Sequence, residues 1–300
     1  MGKIAFVFPG QGAQVVGMGQ NVYENSAVAK DVFEQASKAV DLDLKALCFE
    51  ENNDINITEF TQVCLLTTSV AIMEELKTRG VKADVAAGLS LGEYCALVAA
   101  GSMNFVDAAK AVRKRGIFMQ EEVPAGKGGM AAILGMDAAE IDKNIEEFDK
   151  VQVANYNCPG QIVISGEAEN ITKIMEDLKN AGAKRVLKLN VSGPFHSPML
   201  AQAGEKLKKD LEKVNIKSPH IPYYANYTAE LIDKNTSTEY IKSILSKQVS
   251  GSVRFEQSVR KLIESGFDRF IEIGPGETLT GFVKRIAKDM KVEGLVYEKI

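Results

Sequence analysis

The sequence predicts an α/β protein in which a small ferredoxin-like subdomain is inserted into a core built on a parallel sheet. Both ends of the chain alternate short apolar segments with longer segments of helical periodicity, which is typical of parallel α/β sheets. The middle follows the order β-α-β-β-α-β, the ferredoxin-like pattern. Since the strand–helix alternation then resumes, the middle is an insertion. We expect residues 1–126 and 196–300 to form the core and residues 127–195 the subdomain.

The first core segment begins with a strand, Ile4–Phe8, that runs into a glycine-rich turn at residues 9–14. A second short strand, Asp84–Gly88, lies among helices. The helices predicted here are a polar one around Asn25–Val40, followed by Thr61–Gly80, Leu91–Ala100 and Asn104–Met119. The second of these helices is predicted to be amphipathic, with an apolar face made of Val63, Leu66, Val70, Met73 and Leu76.

A glycine-rich linker at residues 124–129 leads into the inserted subdomain. Its predicted strands are Met130–Leu134, Val151–Asn155, Gln161–Ser165 and Arg185–Val191, and its predicted helices are Ala138–Phe148 and Glu169–Ala181. The core then resumes with the strands Ile221–Ala225 and Phe270–Ile273 and the helices Glu239–Lys247, Phe255–Ser265 and Thr278–Lys288.

The composition is that of an ordinary globular protein and argues against several classes of function. Of the 300 residues, 45% are hydrophobic, and no apolar stretch approaches membrane-spanning length. A net charge of −4 gives no sign of a nucleic-acid-binding surface. The four cysteines form no CxxC pair and there are only two histidines, so no zinc site is expected. Because the N-terminus carries no export signal, we expect a reduced, cytoplasmic protein.

The segment Gly88-Leu89-Ser90-Leu91-Gly92 fits the pattern G-x-S-x-G between a predicted strand and a predicted helix. In that context the serine occupies a tight turn with its hydroxyl exposed, because the two glycines allow close backbone packing. The backbone N–H of Leu91 then lies at a helix N-terminus, where it can stabilise an oxyanion. This context favours Ser90 as a nucleophile over a chance glycine–serine loop.

A nucleophilic serine needs a base, and the chain offers His196 and His220. Both lie in proline-containing loops beside predicted strands, so the local context allows either. His196 is favoured because it lies where the chain returns from the insertion to the core. Acidic residues between Ser90 and His196, such as Asp107 and Glu176, fall on predicted helices rather than at strand ends. We therefore expect a dyad whose histidine is oriented by a neutral acceptor.

Arg115 lies at the edge of the apolar face of the helix Asn104–Met119, whereas Arg113 and Lys114 point away from that face. An arginine that faces the interior needs a carboxylate or other strong acceptors. Two interpretations remain open: an internal salt bridge, or a bidentate clamp for a substrate carboxylate.

Two glycine turns follow predicted strands. Gly10-Gln11-Gly12 does not fit the dinucleotide pattern G-x-G-x-x-G, because Val15 stands where the third glycine belongs. We interpret it as a tight turn that presents backbone N–H groups toward Ser90. Gly274-Pro275-Gly276 is predicted to join a strand to a helix.

In combination, these motifs resemble those of the malonyl-CoA:acyl carrier protein transacylases. The resemblance covers nearly the whole chain and is carried by the segments Phe8–Gln14, Gly88–Glu93, Arg113–Gly116, Asn155–Gln161, Gly193–Pro198 and Ile273–Gly276. It implies an α/β-hydrolase-like core with a ferredoxin-like subdomain, and an active site in the groove between them.

The resemblance also implies residue roles. Ser90 matches the nucleophile of the family and His196 its base. Gln11 and Leu91 match the residues whose backbone N–H groups form the oxyanion hole. Gln248 matches the glutamine next to the histidine, where a neutral acceptor replaces the acid of a triad.

Arg115 matches the arginine that binds the malonyl carboxylate. The implied reaction carries malonyl from malonyl-CoA to the phosphopantetheine thiol of acyl carrier protein in two steps through an ester on Ser90, with no metal or redox cofactor, and supplies fatty-acid synthesis. Leu89 departs from the family pattern, where histidine is common, so the strictness for malonyl over branched analogues is left open.

Three alternatives remain: a serine esterase or thioesterase on a similar core, a malonyl transferase that serves polyketide synthesis, and a non-catalytic module that docks the carrier. A hydrolase would be expected to carry a triad acid, and a docking module has no use for a strained serine turn. We expect a monomer. Since acyl carrier proteins are acidic, docking needs a local basic patch, for which the candidates are Lys184, Arg185, Lys188, Lys284, Arg285 and Lys288.

Overall fold

The fold is described from a computed structural model of residues 2–288 and 290–299. The strands of this part, in chain order, are β1 (Lys3–Phe8), β2 (Val85–Gly88), β3 (Gly128–Leu134), β4 (Val151–Cys158), β5 (Gln161–Glu167), β6 (Arg185–Lys188), β7 (Tyr223–Tyr224), β8 (Leu231–Ile232), β9 (Phe267–Glu272) and β10 (Glu293–Val296). Its helices are α1 (Gln20–Asn25), α2 (Ala27–Val40), α3 (Leu44–Phe49), α4 (Thr58–Thr78), α5 (Gly92–Ala99), α6 (Phe105–Glu121), α7 (Ala138–Ile145), α8 (Ala168–Asn180), α9 (Ala201–Leu211), α10 (Thr238–Gln248), α11 (Phe255–Glu264) and α12 (Thr278–Ile286).

The larger sheet has the strand order β10-β9-β1-β2-β7-β8, in which β8 alone runs antiparallel to its neighbour. The central strand β1 is buried over Ala5–Phe8, as expected for a strand covered on both faces. Its register with β2 places Phe8 beside Gly88, so both strands end at the same edge. In open parallel sheets the carboxyl edge is where ligands bind. The predicted parallel core is confirmed.

The smaller sheet is antiparallel, with the order β4-β5-β3-β6, and α7 and α8 pack against it. The chain order β3-α7-β4-β5-α8-β6 is the ferredoxin-like arrangement that the sequence predicts, and this prediction is confirmed. The domain boundaries at residues 126/127 and 195/196 stay predictions. Residues 1, 289 and 300 of the predicted core segments lie outside the described residues.

The two sheets are joined near the edge strand β4. The backbone N–H of Val253 donates to the carbonyl of Ala154 at 2.8 Å, and Tyr156 N–H donates to the Val253 carbonyl at 2.9 Å. Helices α11 and α12 pack against the same strand. A groove between core and subdomain is therefore held by backbone hydrogen bonds as well as by side-chain packing.

Helix α4 corrects one prediction. Its predicted apolar face is buried, but so is most of its other side, including Thr67, Thr68 and Ser69. The helix packs against α2, α5 and α6 at once, so it is a central helix rather than an amphipathic one. The Thr67 hydroxyl is satisfied by its own helix, since Oγ1 donates a hydrogen bond to the Val63 carbonyl at 2.8 Å, whereas Thr68 Oγ1 and Ser69 Oγ have no partner among the described residues.

Elements that the sequence analysis did not predict are α1, α3, α9, β8 and β10. The helix predicted over Asn25–Val40 is present as α2 but begins at Ala27, because the Ser26 side chain caps it by accepting a hydrogen bond from the backbone N–H of Ala29. Helix α6 is capped in the same way by Asn104. None of the described helices is long and apolar enough to cross a membrane.

Candidate active site

Ser90 stands in a strained turn between β2 and α5. Its φ is 54°, in the left-handed region that residues other than glycine seldom adopt. A Cβ atom at Gly88 would collide with the backbone of Gly92, and one at Gly92 would collide with the carbonyl of Phe8. Both positions therefore need glycine, and the predicted strand–turn–helix geometry of a nucleophilic serine is present.

His196 lies within hydrogen-bond distance of that serine, with Nε2 2.7 Å from Ser90 Oγ. On the other side of the ring, Nδ1 lies 2.8 Å from the main-chain carbonyl oxygen of Gln248. A carbonyl only accepts, so Nδ1 carries the proton and Nε2 is left to accept from the serine hydroxyl. This is the arrangement that a general base for Ser90 requires.

The position of His196 is held from both sides of the groove. Its φ of 57° is also left-handed, and its main-chain carbonyl accepts from Gln152 Nε2 of β4 at 2.6 Å. The same amide donates to the carbonyl of Ser250 at 2.9 Å. The imidazole is 3% exposed, and burial, with a smaller contribution from the charge of Arg115, lowers its pKa to about 3. His196 is therefore neutral near pH 7.

Arg115 extends from α6 to the same point and is fully buried. Nη1 donates to Gln62 Oε1 at 2.7 Å, while Nη2 donates to Gln248 Oε1 at 2.9 Å and to Ser90 Oγ at 3.1 Å. Nε has no hydrogen-bond partner among the described residues. Burial lowers the pKa of the guanidinium, which nevertheless stays protonated because its ordinary pKa is so high.

Of the two interpretations of Arg115, the salt bridge does not occur in the described part of the chain. The ion pairs found there leave Arg115 out, and its acceptors are neutral amides and a hydroxyl. Its neighbour Arg113 pairs with Glu59 instead. A buried cation whose direct partners are all neutral is poised to receive an anion.

Gln248 contacts His196 through its main-chain carbonyl, whereas its side-chain amide forms hydrogen bonds with other residues of the site. Nε2 donates to the Ser90 carbonyl at 2.9 Å and to Glu93 Oε2 at 2.7 Å, and Oε1 accepts from Arg115. The expected neutral acceptor is thus a backbone carbonyl. The amide side chain instead connects the arginine to the nucleophile turn.

Asn226 and Glu93 complete this cluster, and sequence reasoning missed both. Asn226 Oδ1 accepts from the backbone N–H of Ser90 and its Nδ2 donates to the Gly88 carbonyl, each at 2.6 Å, so Asn226 clamps the turn. Glu93 Oε2 accepts from Asn226 N–H at 3.2 Å and from Gln248. Glu93 is 1% exposed, and burial raises its pKa to about 7 against the opposing effect of these hydrogen bonds.

A cavity of about 640 Å³ opens above Ser90 between the two sheets. Residues of the core and of the subdomain line it, including Gln11, Leu89, Ser90, Leu91, Arg115, Asn155, Asn157, Val163, Ser192, His196 and Phe282. Its volume lies within the range of small-molecule sites. Leu89 contributes an apolar wall beside the serine. The Asn157 Oδ1 atom is buried and has no partner among the described residues.

Gln11 and Leu91 flank Ser90 at the floor of this cavity. Leu91 is the N-cap residue of α5, so its N–H belongs to the group at a helix start that finds no acceptor within the helix. The Gln11 side chain donates to Thr58 Oγ1 at 3.1 Å, which is 2.8 Å from Ser192 Oγ. That chain of contacts fixes the glycine turn against the returning end of the subdomain.

His220 lies elsewhere. It is exposed and precedes β7, which runs parallel to β2, so it lies toward the amino edge of the sheet. Ser90 follows β2 at the carboxyl edge. The structure therefore brings Ser90, His196, Arg115, Gln248, Gln11 and Leu91 together and leaves His220 out.

An α/β core with a serine on a strained turn, a neutral histidine beside it and a cavity above it defines an acyl-transfer enzyme. In agreement, the family model of the acyl transferase domain matches residues 5–298. The chain is 48% identical over 296 residues to the malonyl CoA-acyl carrier protein transacylase of Bacillus subtilis strain 168, with 97% of this chain and 92% of that protein covered.

Solved structures agree. A malonyl CoA-acyl carrier protein transacylase from Clostridium perfringens has a TM-score of 0.92 and 45% identity over 97% of this chain and 92% of its own. A malonyl-transacylase in complex with a type II polyketide-synthase acyl carrier protein has a TM-score of 0.92 and 37% identity, with coverage of 98% and 94%. This chain belongs to the malonyl CoA-acyl carrier protein transacylase family.

Proposed function

We propose that this chain transfers malonyl from malonyl-CoA to the phosphopantetheine thiol of an acyl carrier protein, through an ester on Ser90, and so supplies fatty-acid synthesis. The observation that carries the proposal is the position of Arg115. Its Nη2 atom lies 3.1 Å from Ser90 Oγ, it is fully buried, and its direct partners are neutral. A carboxylate at the far end of a bound acyl group would supply the missing anion.

In the first step, Ser90 Oγ attacks the thioester carbonyl carbon while His196 Nε2 takes the hydroxyl proton. The carbonyl oxygen becomes an oxyanion, and we assign the backbone N–H groups of Gln11 and Leu91 as the hydrogen-bond donors that stabilise it. The carbon–sulfur bond then breaks, and His196 returns its proton to the coenzyme A sulfur. The product is a malonyl ester on Ser90.

In the second step, the phosphopantetheine thiol of the carrier attacks that ester. His196 takes the thiol proton and returns it to Ser90 Oγ as the ester bond breaks. The Gln248 carbonyl keeps Nδ1 protonated in both steps, because it accepts a hydrogen bond from the ring throughout. We assign no metal or redox cofactor to either step. A monomeric state and a cytoplasmic location stay predictions.

The similarity to a malonyl-transacylase bound to a polyketide carrier favours a second candidate, malonyl supply to polyketide synthesis. The chemistry at Ser90 would be the same. Transfer rates to carriers of the two pathways, compared at equal concentration, separate the candidates. A hydrolase is disfavoured, because an arginine clamp beside the serine has no task in releasing an uncharged acyl group.

Intact-mass measurement tests the proposal. Incubation with malonyl-CoA alone should add one malonyl group, and peptide mapping should locate it on Ser90. Ser90→Ala should fold normally and remain unlabelled. Addition of carrier protein should discharge the ester onto the carrier rather than to water. A label on Cys95, or rapid release of free malonate, would contradict the proposed mechanism.

A further inference from the structure

The buried carboxylate of Glu93 lies one amide group away from Arg115. Glu93 Oε2 accepts from Gln248 Nε2 at 2.7 Å, and the opposite end of that amide, Oε1, accepts from Arg115 Nη2 at 2.9 Å. All three side chains are essentially inaccessible to solvent, with exposures of 1%, 0% and 0%. The contacts therefore run from the Glu93 carboxylate through the Gln248 amide to the Arg115 guanidinium.

The direction of the amide in this chain follows from elementary hydrogen bonding. A guanidinium only donates and an ionised carboxylate only accepts, so the oxygen of Gln248 must face Arg115 and its nitrogen must face Glu93. The nitrogen is also held by the Ser90 carbonyl at 2.9 Å. Without Glu93, the amide would keep only one strong acceptor for its two N–H groups among these contacts, and its orientation would be less constrained.

This arrangement has a different consequence from a direct ion pair. If Glu93 touched Arg115, the carboxylate would occupy the N–H groups that a substrate anion needs. With an amide between them, Arg115 is fixed and partly compensated, while Nη2 still reaches Ser90 Oγ. The same carboxylate oxygen accepts from the Asn226 backbone at 3.2 Å, so it also supports the residue that clamps the Ser90 turn.

We propose that Glu93 is a positioning residue that holds Arg115, through Gln248, in the pose that binds an acyl carboxylate, and that the charge of Glu93 tunes the strength of that binding. This rests on the proposed function, in which Arg115 receives the malonyl carboxylate. Loss of the negative charge should leave the arginine less compensated and so strengthen its attraction for a substrate anion.

The titratable groups around Glu93 are Arg115 on α6, Tyr94 on its own helix and Tyr223 on β7. Burial raises the pKa of both tyrosines, so they stay neutral near pH 7, and Arg115 stays charged. Burial raises the pKa of Glu93 to about 7. Glu93 is therefore neutral below that pH and charged above it. The preference for malonyl-CoA over acetyl-CoA should rise as the pH falls through 7.

Two substitutions separate position from charge. Glu93→Gln keeps an oxygen that can accept from Gln248 and Asn226 but removes the charge. Glu93→Ala removes both. Acylation of Ser90 is measured in single turnovers with malonyl-CoA and with acetyl-CoA, from about one and a half pH units below the Glu93 transition to the same distance above it.

For the wild type, we expect the malonyl-to-acetyl ratio of kcat/KM to be about tenfold higher at the acid end of this range than at the alkaline end. Glu93→Gln should keep a high ratio that no longer depends on pH, and Glu93→Ala should lower the ratio at every pH. The matched control is Glu272→Gln, another fully buried glutamate, which accepts from the backbone N–H groups of Leu279 and Thr280 at the start of α12. It should lower the melting temperature without flattening the pH profile.

A wild-type pH profile in Glu93→Gln, or a wild-type ratio in Glu93→Ala, overturns the proposal. If the wild type shows no acylation of Ser90 by either thioester, the proposed function fails instead. The positioning claim is then decided by a crystal structure of Glu93→Ala. A displaced Arg115 supports it, and retention of the contact between Arg115 Nη2 and Gln248 Oε1 overturns it.

Discussion

The main-chain carbonyl oxygen of Gln248 lies 2.8 Å from Nδ1 of His196. Hydrolases with a serine triad place a carboxylate at this point, where it orients the ring and stabilises the imidazolium. A neutral carbonyl orients the ring equally well but adds no negative charge. Together with burial and the nearby charge of Arg115, this leaves the neutral imidazole as the stable form.

The first prediction follows from that geometry. His196→Ala should lower the rate of Ser90 acylation by roughly 10²- to 10⁴-fold, the usual contribution of a positioned general base. His220→Ala is the control, since His220 is exposed and away from the cavity, and it should change the rate little. Stopped-flow or quenched-flow acylation measures both. Equal losses in the two variants would contradict the assignment of the base.

The second prediction concerns pH. An ordinary histidine has a pKa near 6.5 and loses its basic form below that value. Burial lowers the pKa of His196 to about 3, so the base stays unprotonated far into the acid range. Acetyl-CoA is the proper substrate for this measurement, because it has no carboxylate to respond to Arg115.

The value of kcat/KM for acetyl-CoA should therefore stay level as the pH falls from about 8 to about 5. The contrary result is an inflection near pH 6.5 in this profile that a matched profile of protein stability lacks. It would show that burial does not lower the pKa of His196.

Local features of this site are predictable from the sequence, since they depend on neighbours in the chain. The turn at Ser90 is an example, because Gly88 and Gly92 are needed within a few residues of the serine. The glycine turn at Gly10 is also visible in the sequence, although its need for glycine is not local, because a Cβ there would collide with the carbonyl of Leu89 on the neighbouring strand end. The place of His196 follows from its position at the return from the insertion.

Partners from distant parts of the chain were not predictable in this way. Asn226, which clamps the Ser90 turn, is 136 positions away, and Gln62 meets Arg115 from α4. Nothing in their local sequence marks them. Glu93 did leave a signal, as the acidic residue in the otherwise apolar start of α5, Gly92–Leu97, but the acid of a serine triad is expected at a strand end rather than on a helix. The Gln248 main-chain carbonyl left no signal in the sequence, since every residue has a main-chain carbonyl.

The third prediction concerns docking of the carrier protein. Arg185, Leu134 and Gln161 lie opposite one another on β6, β3 and β5, and Gln161 Oε1 accepts from Arg285 at 2.6 Å. The two predicted basic clusters, one around Arg185 and one around Arg285, therefore lie near the same end of the subdomain sheet. Arg185 and the Arg285 partner Gln161 are separated by two strand spacings, or ~10 Å. All six candidate residues are exposed: Lys184, Arg185, Lys188, Lys284, Arg285 and Lys288.

Reversal of charge at this end, as in Arg185→Glu with Arg285→Glu, should slow malonyl transfer to an acidic carrier by about threefold to thirtyfold at low salt. Acylation by malonyl-CoA should be unchanged. Lys209→Glu, on the exposed side of α9, is the matched control. Equal losses in both half-reactions would mean that these residues serve folding or coenzyme A rather than the carrier.

The fourth prediction separates malonyl transfer from general acyl transfer through Arg115. Removal of a buried partner of a charged pair costs about 2–5 kcal/mol. Arg115→Ala should therefore lower kcat/KM for malonyl-CoA by roughly 30- to 4,000-fold. Acetyl-CoA carries no carboxylate, so its slower reaction should hold steady or improve as space opens beside Ser90.

Stability must be watched in this variant, because Gln62 and Gln248 each lose a charged donor. An unsatisfied buried amide oxygen costs about 1–3 kcal/mol, so a lower melting temperature is expected. Arg113→Ala is the control on the same helix; it removes an arginine that pairs with Glu59 and should leave the substrate ratio unchanged.

The decisive quantity is the malonyl-to-acetyl ratio of kcat/KM, measured well below the melting temperature of the variant. A general loss of structure lowers both rates together and leaves the ratio near its wild-type value. A lost carboxylate contact lowers one rate alone, because only malonyl-CoA presents the anion. An unchanged ratio in folded Arg115→Ala would remove the arginine clamp, and with it the structural reason why this site should prefer malonyl.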